Sequence, residues 1–141
     1  MDLLARREHS RAELAAKLRA RGADPVILET VLDALAAARL QSDTRYAEQY
    51  ARQRAERGYG PLRITQELRQ RGVAELQVDA ALEQSGSDWT EQAAAVRIKR
   101  FGSALPQDIR DRAKQVRFLE YRGFTADQIR RVLKHNHDLA D

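Results

Sequence analysis

Apolar residues fall at helical spacing throughout this chain, and the same spacing recurs three times. Leu28, Val31 and Leu32, then Val78, Ala81 and Leu82, then Ile129, Val132 and Leu133 each form an i, i+3, i+4 set, one face of a helix. Ten residues before the last member of each set stands a glycine, and that glycine ends a Leu-x-x-Arg-Gly run: Leu18 to Gly22, Leu68 to Gly72 and Leu119 to Gly123. The glycines lie 50 and 51 residues apart. A period of this size marks a tandem array rather than a single globule. No strand signal is present.

Each unit reads as three short helices. In the central unit the first helix runs from about Asp43 to Arg57, with Tyr46, Ala47, Tyr50 and Ala51 as its apolar stripe. Gly58-Tyr59-Gly60 breaks it, and Pro61 takes the first position of the next helix, where its missing N–H costs nothing. Ile64 and Leu68 face inward until Gly72 ends that helix as a left-handed residue, and a third helix follows from Glu75 to Gln84. Ser10 with Glu13, Asp88 with Glu91, and Thr125 with Gln128 are capping boxes, and Asp24-Pro25 starts another helix. Gly22, Gly58, Gly60, Pro61, Gly72 and Gly123 are thus structural positions. Counting back 22 residues from the glycines makes Tyr50 and Phe101 equivalent core aromatics, while the matching position of the first unit precedes Met1, so that unit is expected to lack most of its leading helix. Units of this size cannot bury their apolar faces alone. The expected fold is all-α: an elongated, curved solenoid of right-handed type, with repeats at 1–41, 42–86 and 87–141, the first shortened at its N-terminus.

Composition narrows the function. The 141 residues carry 25 Lys plus Arg and 21 Asp plus Glu, a net charge of +4. A hydrophobic content of 43% is too high for a disordered chain of that charge, and no apolar stretch nears the ~18 residues of a membrane span. With no cysteine, disulfides, Cys-ligated zinc, iron–sulfur clusters and thiol nucleophiles are excluded. The first ten residues form no apolar secretion signal, and a cytoplasmic location fits.

The charges are unevenly placed. Seven arginines fall between Arg45 and Gly72 against three glutamates, and seven bases between Arg97 and Arg117 against two aspartates. The third helices of the first two units are acidic, with Glu29 and Asp33, then Glu75, Asp79 and Glu83. A major-groove reader needs donors on its second helix after the turn, so these acids argue against operator reading. Only the third unit is basic there, through Arg130, Arg131 and Lys134. Sequence-independent, salt-sensitive contact with phosphates or with acidic protein is expected instead. Candidate contacts are Arg54, Arg57, Tyr59, Arg63, Arg97, Lys99, Arg100, Arg110, Lys114, Arg117, Arg130, Arg131 and Lys134. Among them Arg54, Arg57 and Arg63 surround the Gly58–Gly60 turn beside a helix N-terminus, an anion seat; the alternative is that they pair with Glu56 and Glu67.

Gly58-x-Gly60 is not a nucleotide loop, since no strand precedes it, no Gly-Lys-Ser/Thr follows, and Pro61 lacks an amide. Tyr50, Phe101, Phe118 and Phe124 read as packing and Trp89 as a staple at a helix start, leaving Tyr59 as the aromatic expected to be exposed. Ser10 and Ser103 read as helix caps. His135 and His137 flank Asn136 in a polar tail, a poor metal site. No paired acids sit in an apolar setting. The chain reads as a binding protein with no catalytic residue, metal or cofactor.

The run Gly58-Tyr59-Gly60-Pro61-Leu62-Arg63-Ile64, followed by Glu67-Leu68 and Arg71-Gly72, resembles the central signature of the bacterial RecX regulatory family. Leu3 to Ser10 with Glu13-Leu14, Leu40 to Tyr46, and Phe118-Leu119 with Arg122-Gly123-Phe124 resemble other segments of the same family. The resemblance implies a non-enzymatic modulator, mainly an inhibitor, of the RecA recombinase in recombination and the SOS response to DNA damage. Its partners would be the RecA filament and single- or double-stranded DNA, with the protein itself a monomer away from membranes. The rival reading is a stand-alone nucleic-acid-binding protein or transcription factor.

Overall fold

A computed structural model describes residues 7–85 and 88–134, and among them the chain is helical with no strand. The helices are α1 (Arg11–Ala20), α2 (Pro25–Ala37), α3 (Asp43–Glu56), α4 (Pro61–Gln70), α5 (Glu75–Gln84), α6 (Trp89–Phe101), α7 (Ile109–Arg122) and α8 (Ala126–Val132). None of them is long and apolar enough to cross a membrane.

Their starts follow local chemistry. Ser10 and Glu13 cap α1 reciprocally: the Ser10 hydroxyl accepts from the Glu13 amide at 3.1 Å, and the Ser10 amide donates to the Glu13 carboxylate at 3.2 Å. Thr125 and Gln128 do the same for α8. Asp24 accepts from the Val26 amide ahead of Pro25, and Asp88 from the Glu91 amide. Ser103 caps nothing, contrary to expectation: α7 starts further on, where Asp108 accepts from the Asp111 amide at 2.7 Å. The repeat glycines Gly22, Gly72 and Gly123 all have positive φ, at 89°, 80° and 97°. Arg39, after α2, holds the one non-glycine positive φ among the described residues, at 60°.

Packing divides the chain into two compact units, residues 1–52 with 65–85 and residues 53–64 with 86–141. In the first unit Leu14 and Ala15 of α1 pack with Leu28, Leu32 and Leu35 of α2. Tyr46, Ala47, Ala51, Leu68, Val78 and Ala81 are also buried there. Burial pushes the Tyr46 hydroxyl up to about 12. In the second unit Ala93, Leu119, Phe124, Ile129 and Leu133 form the core, with Trp89, Val96, Val116 and Phe118 against it. Each fully buried leucine or isoleucine here contributes roughly 1.5–3 kcal/mol. The thrice-repeated face is therefore a core face in every unit, although in α5 Ala81 is buried and Leu82 lies at its edge. The shortened leading helix and the His135–His137 tail fall outside the described residues.

Candidate functional site

The Gly58–Gly60 turn belongs to the second unit and is built by backbone pairing. Gly58 donates to the Ala55 carbonyl and Tyr59 to that of Arg54, which closes α3. Gly60 then donates to the Arg122 carbonyl at 2.7 Å, and Leu62 to the Gly123 carbonyl at 2.9 Å. The C-terminal carbonyls of α7 thus take up amides at the start of α4, a head-to-tail arrangement that satisfies orphan groups of both helices. At the helix start beside the expected anion seat, Pro61 has no N–H and the Leu62 amide is already bonded.

Two arginines of that seat, Arg54 and Arg63, converge with Arg122 on an aromatic ring, while Arg57 lines the neighbouring groove. The guanidinium carbons of Arg54, Arg63 and Arg122 lie 3.9, 4.5 and 4.9 Å from the centre of the Tyr59 ring. Tyr59 is half-buried among them rather than projecting into solvent. Arg63 also lies 5.1 Å from the Tyr121 ring and donates to the Tyr121 carbonyl at 3.2 Å. Arg122 donates to the Arg57 carbonyl at 3.1 Å and lies 5.3 Å from the Phe118 ring. These side chains clamp the turn against the end of α7.

Beside the turn runs a groove of about 560 Å³, lined by the apolar Ala55, Gly58, Ala95 and Val96 and by the cations Arg57, Lys99, Arg100 and Arg122. Glu56 is the one carboxylate among the described residues of the lining. Arg57, Lys99 and Arg100 are exposed and form no ion pair among the described residues.

Arg110, Lys114 and Arg117 are exposed along one face of α7, at i, i+4 and i+7, and Tyr121 continues that face. They too form no ion pair among the described residues. On α8, Arg130 and Arg131 both pair with Asp127, at 3.3 and 3.2 Å, and Lys134 beyond it is exposed.

Arg97 corrects the expectation that it faces a partner. It is 3% exposed and donates to the carbonyls of Ser103 and Ala104 and to the Gln115 side-chain oxygen, at 3.3, 3.2 and 3.3 Å. Its place on the inner face of α6, one turn after the buried Ala93, turns its charge toward the segment joining α6 to α7.

In the first unit the acids of α2 are engaged. Glu29 and Asp33 each accept from Arg11 at 2.8 Å, and hydrogen bonds to Asp33 and Glu29 raise the Arg11 pKa. Arg69 pairs with Glu75 across the turn between α4 and α5. These pairs place carboxylates on the helix that follows each turn, where a groove-reading protein carries donors.

Two contributors escape a reading of the sequence. Arg122 has a signal, being the arginine of the repeated Leu-x-x-Arg-Gly run. Gln92, which also lines the groove, has none; its Oε1 is buried without a hydrogen-bond partner among the described residues.

Comparison with known proteins accounts for almost all of the chain. Family models described as the first, second and third three-helix domains of RecX match residues 1–35, 42–82 and 87–133. The regulatory protein RecX of Halorhodospira halophila is 56% identical over 130 residues, spanning 92% of this chain and 81% of that protein. That of Pseudomonas fluorescens is 51% identical over 133 residues, spanning 94% and 86%. A crystal structure of a regulatory protein RecX superposes with a TM-score of 0.80 at 26% identity, over 93% of this chain and 66% of that one. RecX from Lactobacillus salivarius, at 22% identity, shares the fold with a TM-score of 0.79, over 93% of this chain and 87% of its own. With three family domains matched over most of its length and relatives half identical in sequence, this chain belongs to the RecX family of regulatory proteins.

Proposed function

We propose that the protein modulates the RecA recombinase, chiefly as an inhibitor, by binding the RecA–DNA filament. Membership of the RecX family supports the choice of partner. The observation that carries the physical reading is the cationic set of the second unit: Arg110, Lys114 and Arg117 on α7, with Arg57, Lys99 and Arg100 at the groove, exposed and without ion pairs among the described residues. Such groups meet the phosphates of a nucleoprotein filament, or acidic patches of its protein, without reading base sequence. The protein works as a binding module, a monomer in the cytoplasm, in recombination and the response to DNA damage, with no chemistry of its own.

A ligand shifts an equilibrium only by the difference in its affinity for two states. The modulator therefore binds a non-extending or inactive filament more tightly than the active one, which lowers both assembly and strand exchange by mass action. The test is RecA ATP hydrolysis on single-stranded DNA with the protein titrated to stoichiometric amounts. A fall in rate is expected, and an unchanged rate rejects the reading.

A further inference from the structure

We infer that the groove of the second unit is a binding site for an acidic peptide segment in which carboxylates flank a small aliphatic side chain. Arg57, Lys99, Arg100 and Arg122 border the groove against a single carboxylate among the described residues, Glu56, so the lining carries like charges that an anionic ligand relieves. Arginine matches carboxylates with two parallel hydrogen bonds, and three of these four cations are arginines.

The apolar part of the lining selects what lies between the carboxylates. Ala55, Gly58, Ala95 and Val96 offer methyl and methylene surface with no charged atom of their own side chains. Val96 packs directly against Gly58, where a Cβ would stand 2.9 Å from its Cγ2. A volume of about 560 Å³ suits a few residues of extended peptide.

A nucleotide fits the same lining less well. Stacking needs an open aromatic face. Phe118, the aromatic of the described lining, already stands perpendicular to Phe101 with ring centres 5.3 Å apart, and the guanidiniums of Arg122 and Arg100 lie 5.3 and 5.7 Å from its ring centre. The assignment deepens the proposed function and rests on it only for the identity of the protein that carries the peptide.

The test uses the full chain without recombinase. A fluorescein-labelled peptide with acidic residues on both sides of one central valine is titrated at low salt and followed by anisotropy. Three changes are each expected to weaken binding about tenfold or more. Ala95→Trp fills the groove from an exposed helix position and alters no charge. Lys99→Glu with Arg100→Glu reverses half of the cations. Replacing the peptide valine by asparagine leaves the protein untouched, so this arm stands even where a variant melts early. Binding that ignores the valine overturns the assignment, as does an oligothymidylate of equal charge that competes as well as the peptide. Failure here removes the groove assignment alone, whereas failure of the ATP hydrolysis assay removes the proposed function alone.

Discussion

Gly60 and Gly123 lie backbone against backbone: a Cβ built on Gly60 would stand 2.5 Å from the Gly123 carbonyl oxygen, the same oxygen that accepts from the Leu62 amide. Gly60→Ala therefore has to push two helix ends apart and stretch the hydrogen bonds joining them. The expected cost is at least the ~1–3 kcal/mol of an overpacked site. Gly22→Ala is the control, because Gly22 has a positive φ of 89° but nothing within 4 Å of its Cβ position, leaving only the ~1–2 kcal/mol of left-handed strain. Thermal melting should rank Gly60→Ala below Gly22→Ala. The reverse order would deny the close approach.

Arg97 separates structure from binding. Its guanidinium holds the Ser103 and Ala104 carbonyls and Gln115 inside the fold, and Arg97→Ala leaves those acceptors short of a donor. A loss of about 1–3 kcal/mol is expected in denaturant titration. Arg100→Ala, at an exposed position of the same helix, should stay within about 0.5 kcal/mol. Equal stability of the two variants would return Arg97 to the surface.

These contrasts show which features a sequence carries openly. The caps at Ser10, Asp24 and Thr125 are legible because donor and acceptor lie two or three residues apart, and α5 spans Glu75–Gln84 as its flanks predict. Gly60 reads only as a turn, since its constraint is a carbonyl far along the chain. Arg97 misleads because its charge outweighs its position, although Ala93, Arg97 and Phe101 at four-residue spacing trace one helix face. Tyr59 reads as solvent-exposed because Arg122, which covers its ring, is far along the chain. Local hydrogen bonding can be read from the order of neighbouring residues, whereas the burial of a charged side chain depends on which face its neighbours cover.

His9 gives the first unit a pH dependence. It is buried, its Nδ1 lies 3.0 Å from the Arg7 carbonyl, and its Nε2 lies 3.1 Å from the Lys17 ammonium. An ammonium donates only to an unprotonated nitrogen, so the imidazole is neutral with its hydrogen on Nδ1. Burial first, then the nearby Arg7 charge, holds its pKa below the ordinary value. The unfolded chain takes up this proton near pH 6.5 and the folded chain only at lower pH, so stability falls as pH drops through about 6.5. Glu13 acts in a separate window: its pKa is lowered in the fold, and its contribution disappears only as pH falls below the usual carboxylate range. Melting temperature should therefore decline between about pH 7.5 and 5.5. His9→Gln should flatten that decline, with His135 and His137 unchanged in both proteins. A slope that survives the substitution assigns it elsewhere.

The exposed face of α7 makes the most direct claim on DNA. Arg110, Lys114 and Arg117 form no ion pairs among the described residues, whereas Arg130 and Arg131 share Asp127. A cation already paired within the protein gains less from a phosphate, because it must first give up its partner. Replacing the three α7 residues by alanine should flatten the dependence of log affinity on log salt for duplex DNA by about 0.9 for each phosphate no longer neutralised, roughly 2–3 in all. Alanine at Arg130 and Arg131 should change it less. Both sets lie away from the core, so melting temperatures should hold near the parent's. Titrations at several salt concentrations read the slopes directly. A slope unmoved by the α7 substitutions would take that face out of the interface, even if affinity at a single salt concentration had dropped.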